Sequence, residues 1–433
     1  LQASSHPLGG QPGRTGRGGV MSLLSRRLAI TVFLAFAFAY FFSALLRAIT
    51  ATLSPTLTQE FSLHARDLGL LAGGYFLGFA ATQLPLGTWL DRHGPKKVIL
   101  AFLGVAVVGC GAFALATSFS GLLAARVLCG VGVSACLMAP LTGFRRWLAP
   151  AAQLRANSWM LMTGSFGMVA STLPVQWLMP LAGWRPLFWG LALMILLSMA
   201  VIAWAVPAWS QAATPTSATA PAPGSYAEVW RNRYFQRMTP IGFFSYGGMI
   251  AFQTLWAGPW MVKVAGYAPL EAAQGLFWIN VSMLCTFWSW GLLNPMLARR
   301  GLTTNRLIAW GLPSSLIVLA IIIIAGDAAG AGAWAIFCMT STFVSLAQPA
   351  VGMAFAPALA GRALSAYNLV IFAGVFVVQW GIGLLVDGFA AAGLGTVDAF
   401  RAAVGVFLAC SVASYAWFLR ASPDNPANPS TPS

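Results

Sequence analysis

Twelve runs of roughly 20 apolar residues each, the length a helix needs to cross a bilayer, follow one another with almost nothing charged inside them. They lie near 28–52, 67–88, 97–118, 121–144, 156–179, 185–207, 238–260, 270–296, 304–326, 330–356, 361–387 and 398–420. Charged residues make up 8% of the 433 positions, against roughly 25% in ordinary soluble domains. A chain so poor in charge has no way to coat twelve such helices with water-facing side chains. The expectation is an all-α integral membrane protein with twelve transmembrane helices, the lipid bilayer being its first partner.

The formal net charge of +15 would suit a nucleic-acid binder, but the bases form no patch and stand in the short segments between runs. With the N-terminus placed inside, eighteen Lys and Arg fall on that side and only Arg66, Arg185, Lys263 and Arg401 on the other. The positive-inside rule then puts both termini in the cytoplasm, in a bacterial-type inner membrane, and no nucleic-acid partner is expected. The six cysteines all lie inside apolar runs without ligand-like spacing, so free thiols are expected, with no disulfide, metal or cofactor. Fifteen methionines scatter through the helices, Met160 and Met162 closest together, and define no copper path. Residues 1–27 are rich in Gly, Ser and Arg and read as a disordered cytoplasmic segment without a cleavable signal pattern, in which Met21 is the expected biological start.

Between the sixth and seventh runs the composition changes abruptly to a Pro/Ala/Thr stretch, which marks a cytoplasmic linker at 208–236. The flanking parts, 28–207 and 237–420, echo each other. LDRHGPKKVI at 90–99 returns as ARRGLTTNRLI at 298–308, RANS at 155–158 as RALS at 362–365, and VQW at 175–177 again at 378–380. Two parallel six-helix halves, followed by a cytoplasmic tail at 421–433, are the expected domains.

The segment GTWLDRHGPKK at 87–97 combines Gly87, Asp91, Arg92, Gly94, Lys96 and Lys97 in a helix-to-helix turn, where Gly permits a sharp bend and Pro95 fixes φ. It resembles the loop between helices 2 and 3 of the major facilitator superfamily of secondary transporters. RVLCGVGVSA, with Arg126, Gly130 and Gly132, resembles that superfamily's fourth-helix motif, and the likeness extends over 28–420. It implies two pseudo-symmetric six-helix bundles, alternating-access transport of a small-molecule substrate held near the midplane, and no enzymatic activity. In this reading Asp91 is a conformational latch and Arg126 is buried for a structural or coupling role, against the alternative of a snorkelling side chain. Gly130 and Gly132 let a neighbouring helix approach. Arg299 replaces the acid in the second copy of the loop, so an acid latch is expected to be stronger in the first half.

Arg47 is the sharpest single residue. It lies about twenty residues into the first run, and Tyr40, Ser43 and Arg47 share one helical face. An arginine so placed usually faces a bundle interior or a watery cavity; the alternative is snorkelling to the outer surface, where Pro55 is expected to end the helix. An arginine ahead of a proline in helix 1 also resembles the anion-transporting branches of the superfamily, which carry organic anions or nitrate. All nine acids fall at helix ends, in loops or in the tail, and His6, His64 and His93 lie outside the apolar runs. Coupling through a membrane-embedded acid is therefore not expected, Asp387 and Asp67 being the nearest candidates, and a coupling proton or ion is left open. The expected substrate is a small anion bound by Arg47 and Tyr40 with Gln253 and Asn368 opposite, and with Tyr75 and Gln379 as further candidates. An efflux permease for neutral or cationic compounds, and a non-transporting receptor or assembly factor on the same fold, are the rival readings.

Overall fold

A computed structural model of the chain describes residues 24–208 and 225–421. Expectations for the first 23 residues, the Pro/Ala/Thr stretch and the tail beyond 421 lie outside those residues. Among the described residues all regular structure is helical and makes twelve crossings. The first half comprises α1 (Arg26–Phe61), α2 (Ala65–Ala81), α3 (Gln83–Leu115), α4 (Phe119–Trp147), α5 (Pro150–Ala170 with Leu173–Ala182) and α6 (Trp184–Ala205). The second comprises α7 (Arg233–Pro240 through Ala257–Lys263), α8 (Pro269–Arg299), α9 (Thr304–Ala325), α10 (Ala331–Met353), α11 (Pro357–Ala391) and α12 (Thr396–Arg420). A short helix, Tyr226–Arg231, precedes α7 within the expected linker. The end of the bundle where this helix sits is called the linker face below, and the opposite end the far face.

Three features differ from expectation. The second and third crossings are not separated by a loop: residues 83–93 continue the second crossing, and only Gly94, at φ 76° and ψ 162°, breaks the helix before the third. Glycine is needed there because a Cβ penalises positive φ. In α7, π-helical turns at Ile241–Tyr246 and Phe252–Trp256 add slack to the helix, which apolar periodicity alone does not reveal. Finally, Pro55 does not end α1, which continues to Phe61.

The chemistry that lets α1 pass through a proline is local. Proline lacks the N–H that would bond the carbonyl four residues back, here that of Ala51. The Ser54 hydroxyl donates to that carbonyl at 2.8 Å. The same repair recurs in α9, where Pro313 frees the Ala309 carbonyl and the Tyr415 hydroxyl donates to it at 2.6 Å. Buried backbone acceptors are thus satisfied where the ladder is interrupted.

Within each half, glycines set the closest helix approaches. A Cβ at Gly130 would overlap the Tyr75 carbonyl, and one at Gly132 the backbone of Ala106, so α4 is pressed between α2 and α3. In the second half Gly374 meets the Phe243 carbonyl, joining α11 to α7. Between the halves, α2 and α11 are packed along their length: Gly69 abuts the Gln379 carbonyl, Gly73 abuts Phe376, and Gly383 abuts Ala65. Near the far face, Trp256 donates its indole N–H to the Gln379 carbonyl at 3.0 Å. At the linker face the Tyr226 hydroxyl donates to the Leu84 carbonyl at 3.3 Å, and the Arg362 guanidinium lies 5.9 Å from the Tyr226 ring centre.

Candidate functional site

The middle of α1 places Tyr40, Ser43 and Arg47 on its inward face, and α2 brings Tyr75 and Phe79 against them. Tyr75 is fully buried and donates its hydroxyl proton to the Ser43 carbonyl at 3.2 Å, which fixes the ring. The hydroxyls of Tyr40 and Tyr75 both face the Arg47 guanidinium, and that of Tyr246 from α7 lies within its electrostatic reach. The Arg47 Cζ stands 5.6 Å from the Phe79 ring centre and 5.9 Å from that of Phe372 in α11. Those two rings touch each other, their centres 4.4 Å apart. One cation is therefore surrounded by phenols and phenyl rings contributed by both halves.

Arg47 is half-buried, its Nε is buried without a hydrogen-bond partner, and among the described residues no carboxylate lies within ion-pair distance of it. A guanidinium so placed keeps its charge, because its pKa is far above any pH the protein meets. Among the described residues its local field is compensated by aromatic faces and hydroxyl dipoles. The snorkelling alternative does not describe it: the head points to the junction of the halves, toward Phe372 and Tyr246, not to the far surface.

Arg126 is also fixed inside. It is 1% exposed, none of its three guanidinium nitrogens has a partner, and its Cζ lies 5.0 Å from the Tyr75 ring centre. Tyr75 thus receives Arg126 on its ring and Arg47 at its hydroxyl. Beside Arg126 the thiols of Cys110 and Cys129 pair at 3.9 Å.

The polar groups expected opposite Arg47 have side-chain hydrogen-bond partners of their own in the structure. Gln253 donates to Asn280 at 3.0 Å, two turns along α7 from Tyr246. Asn368 accepts from Gln348 at 2.5 Å, one turn from Phe372. Gln379 is buried against Thr254, its side-chain amide donating at 3.0 Å, while its side-chain oxygen Oε1 has no partner. The second half instead presents Tyr246 and Phe372. Neither was singled out from sequence, since an aromatic residue in an apolar run reads as core; the available signal was the i, i+4 pairing of Tyr75 with Phe79, which marks an aromatic face on α2.

The residues of the first motif divide by position. Gly87 has open space around it, Lys96 donates to the Val206 carbonyl at 2.7 Å and so holds the end of α6, and Lys97 is exposed. Arg92 is exposed and engaged. Asp91 is exposed, with Arg145 and Arg362 as its neighbouring charges, the latter from the opposite half. The best-made acid contact between the halves is in the second half: Asp387 near the end of α11 accepts the backbone N–H groups of Ala65 and Arg66 at 3.1 and 3.0 Å. Asp67, the other acid considered for coupling, closes a capping box with His64 at the start of α2.

Parts of the sequence, and the fold, resemble known proteins. A region 27% identical over 144 residues occurs in the hexuronate transporter of Escherichia coli (strain K12), covering 33% of each chain. The probable sulfoacetate transporter SauU of Cupriavidus necator is 31% identical over 156 residues, covering 34% of this chain and 35% of its own. The 4-hydroxybenzoate transporter PcaK of Pseudomonas aeruginosa is 28% identical over 151 residues, 34% of this chain and 33% of its own. The matches thus span about a third of the length of these relatives. A solved structure of a bacterial homologue of the human lysosomal transporter Spinster, inward-facing and unoccupied, superposes over 95% of this chain and 100% of its own, with a TM-score of 0.76 and 17% identity. The profile of the Major Facilitator Superfamily matches residues 36–379, and with its twelve helices in two six-helix bundles this chain belongs to that superfamily.

Proposed function

We propose that the protein is a transmembrane transporter that carries a small organic anion by alternating access, with Arg47 as the anion-binding cation. The observation that carries this reading is the Arg47 guanidinium at the junction of the two halves, its Nε buried without a partner and no carboxylate of the described residues beside it. Burying an unpaired cation is unfavourable by several kcal/mol in real proteins. An anionic substrate supplies the missing charge, and a carboxylate or sulfonate fits the planar two-pronged donor. Hexuronate, sulfoacetate and 4-hydroxybenzoate, the solutes named for the partial relatives, are all anions at neutral pH, which supports the choice of charge.

Transport follows from the position of the site. A solute between α1 and α2 on one side and α7 and α11 on the other is exposed to one face when the far-face contacts are closed and to the other when they part. We place the linker face in the cytoplasm of an inner membrane, from the excess of Lys and Arg there. Among the described residues the far face carries Glu60, Asp67, Glu271, Asp327, Asp387 and Asp398, several of them capping helices, and few bases. Neutral or cationic efflux substrates suit the site less well, since they leave the Arg47 charge unanswered.

The test is thermal unfolding of the purified protein against a panel of small carboxylates, sulfonates, amines and neutral sugars. A ligand that binds only the folded state raises the melting temperature. At least one anion and no amine should do so, and Arg47→Ala should abolish the shift. Stabilisation by an amine or a neutral sugar alone would remove the anion assignment.

A further inference from the structure

Resting on that reading, we infer that the transported anion is a monoanion with a flat apolar body, an aromatic monocarboxylate being its simplest form, and that Phe79 and Phe372 select it. In the structure these two rings, one from each half, close over the Arg47 guanidinium and onto each other. Phe76 stacks on Phe372 at 6.2 Å with a 15° interplanar angle, and Tyr75 stacks on Phe79 at 6.2 Å. A solute that enters between the halves at the guanidinium parts Phe79 from Phe372 and takes over the surfaces they present to each other. An aromatic or similarly flat apolar body restores the lost ring contacts, whereas a polyhydroxylated body buries its hydroxyls against phenyl faces that accept no strong hydrogen bond.

The charge count at the site points the same way. Among the described residues Arg47 is the one cation against both Phe79 and Phe372; Tyr40 and Tyr75 face it and Tyr246 lies within its electrostatic reach. Arg126 lies behind the Tyr75 ring, fully buried. A single carboxylate is matched by one guanidinium and flanking phenols; a second carboxylate on the same solute would meet rings. The amides that a sugar acid would need are already paired, Gln253 with Asn280 and Gln348 with Asn368.

The experiment is equilibrium binding of benzoate, acetate, D-glucuronate and the neutral isostere benzamide to the purified full chain and to Phe372→Ala. Benzoate should bind at least about tenfold more tightly than acetate or D-glucuronate, a margin expected from one desolvated ring. Phe372→Ala should weaken benzoate by about tenfold and acetate by less than about twofold, a split that a merely structural loss at Phe372 would not give. Phe372→Leu, which keeps bulk and folding, should lie between the two. D-Glucuronate or acetate binding as tightly as benzoate would overturn the selection by rings while leaving the anion assignment intact, as would equal losses for all ligands in Phe372→Ala. Benzamide binding as well as benzoate would overturn the anion assignment instead, and the absence of binding by every compound would overturn both.

Discussion

The Asp387 carboxylate in α11 caps the first turn of α2 from the opposite half of the molecule, accepting the N–H of Ala65 at 3.1 Å and that of Arg66 at 3.0 Å. The Arg66 side chain adds a long contact, Nε to Oδ2 at 3.9 Å. An anion at a helix N-terminus answers both unpaired N–H groups and the positive end of the helix dipole. Because α2 and α11 run antiparallel, the other end of the pair has the reverse arrangement, with Asp91 below α2 and Arg362 in the first turns of α11 as its neighbouring charge. The far-face acid has made its contact; the linker-face acid has no ion pair within 4.0 Å among the described residues.

Asp387→Ala should therefore loosen the far face. Losing two hydrogen bonds to a carboxylate costs about 1–3 kcal/mol, a change of about 5- to 150-fold in the closed-to-open ratio. Spin labels at Gln59 and Ala392, both exposed at the far face and in different halves, should report longer distances in the variant. An unchanged distance distribution would show that the cap does not hold this face shut.

Ser54 and Pro55 should be coupled. Ser54→Ala leaves the Ala51 carbonyl without its donor and should destabilise by about 1 kcal/mol. In a Pro55→Ala background the backbone N–H is restored, and the same serine substitution should be nearly neutral. Equal losses in both backgrounds, measured by thermal unfolding, would contradict the repair.

Gly130→Ala forces a Cβ into the Tyr75 carbonyl and should destabilise by about 1–3 kcal/mol. Gly190→Ala, in α6 with nothing within 4 Å of the added atom, should change stability little or raise it slightly. A similar melting temperature for the two variants would mean that α2 and α4 are not as tightly apposed as described.

Orientation is tested by membrane-impermeant thiol labelling of single cysteines placed at Ser217 and Ser120. Only the Ser120 position should react from outside. Outside labelling at Ser217 would invert the proposed topology.

Much of this architecture was legible because lipid imposes one rule on every crossing: about 20 apolar residues and charges kept to the ends. Asp91, Gly94 and Lys96 marked the turn between the second and third crossings for the same reason, although the break is a single residue, Gly94, and not an extended loop. Arg47, Tyr40 and Tyr75 were recognisable because a cation and phenols stand out in apolar sequence. Tyr246, Phe79 and Phe372 were not, since burial in a core and burial in a site use the same residue types. Nor does sequence tell whether Gln253 and Asn368 face a site or pair with Asn280 and Gln348; that is decided by the rotation of α7 and α11, which the π turns and close glycine contacts set. The Asp387 cap depends on a contact between residues more than 300 positions apart, beyond the reach of any local pattern.

The most direct test of the central claim is anion binding and flux by Arg47→Lys, using the anion that most stabilises the wild-type protein. Lysine keeps the charge but lacks the planar pair of donors, so binding should weaken by roughly 10- to 100-fold, with flux in reconstituted vesicles falling in parallel and the melting temperature little changed. Gln379→Ala, at a buried amide away from Arg47, should weaken binding by less than about threefold. If Arg47→Lys binds and transports the anion as the wild type does, Arg47 is not the anion-binding group.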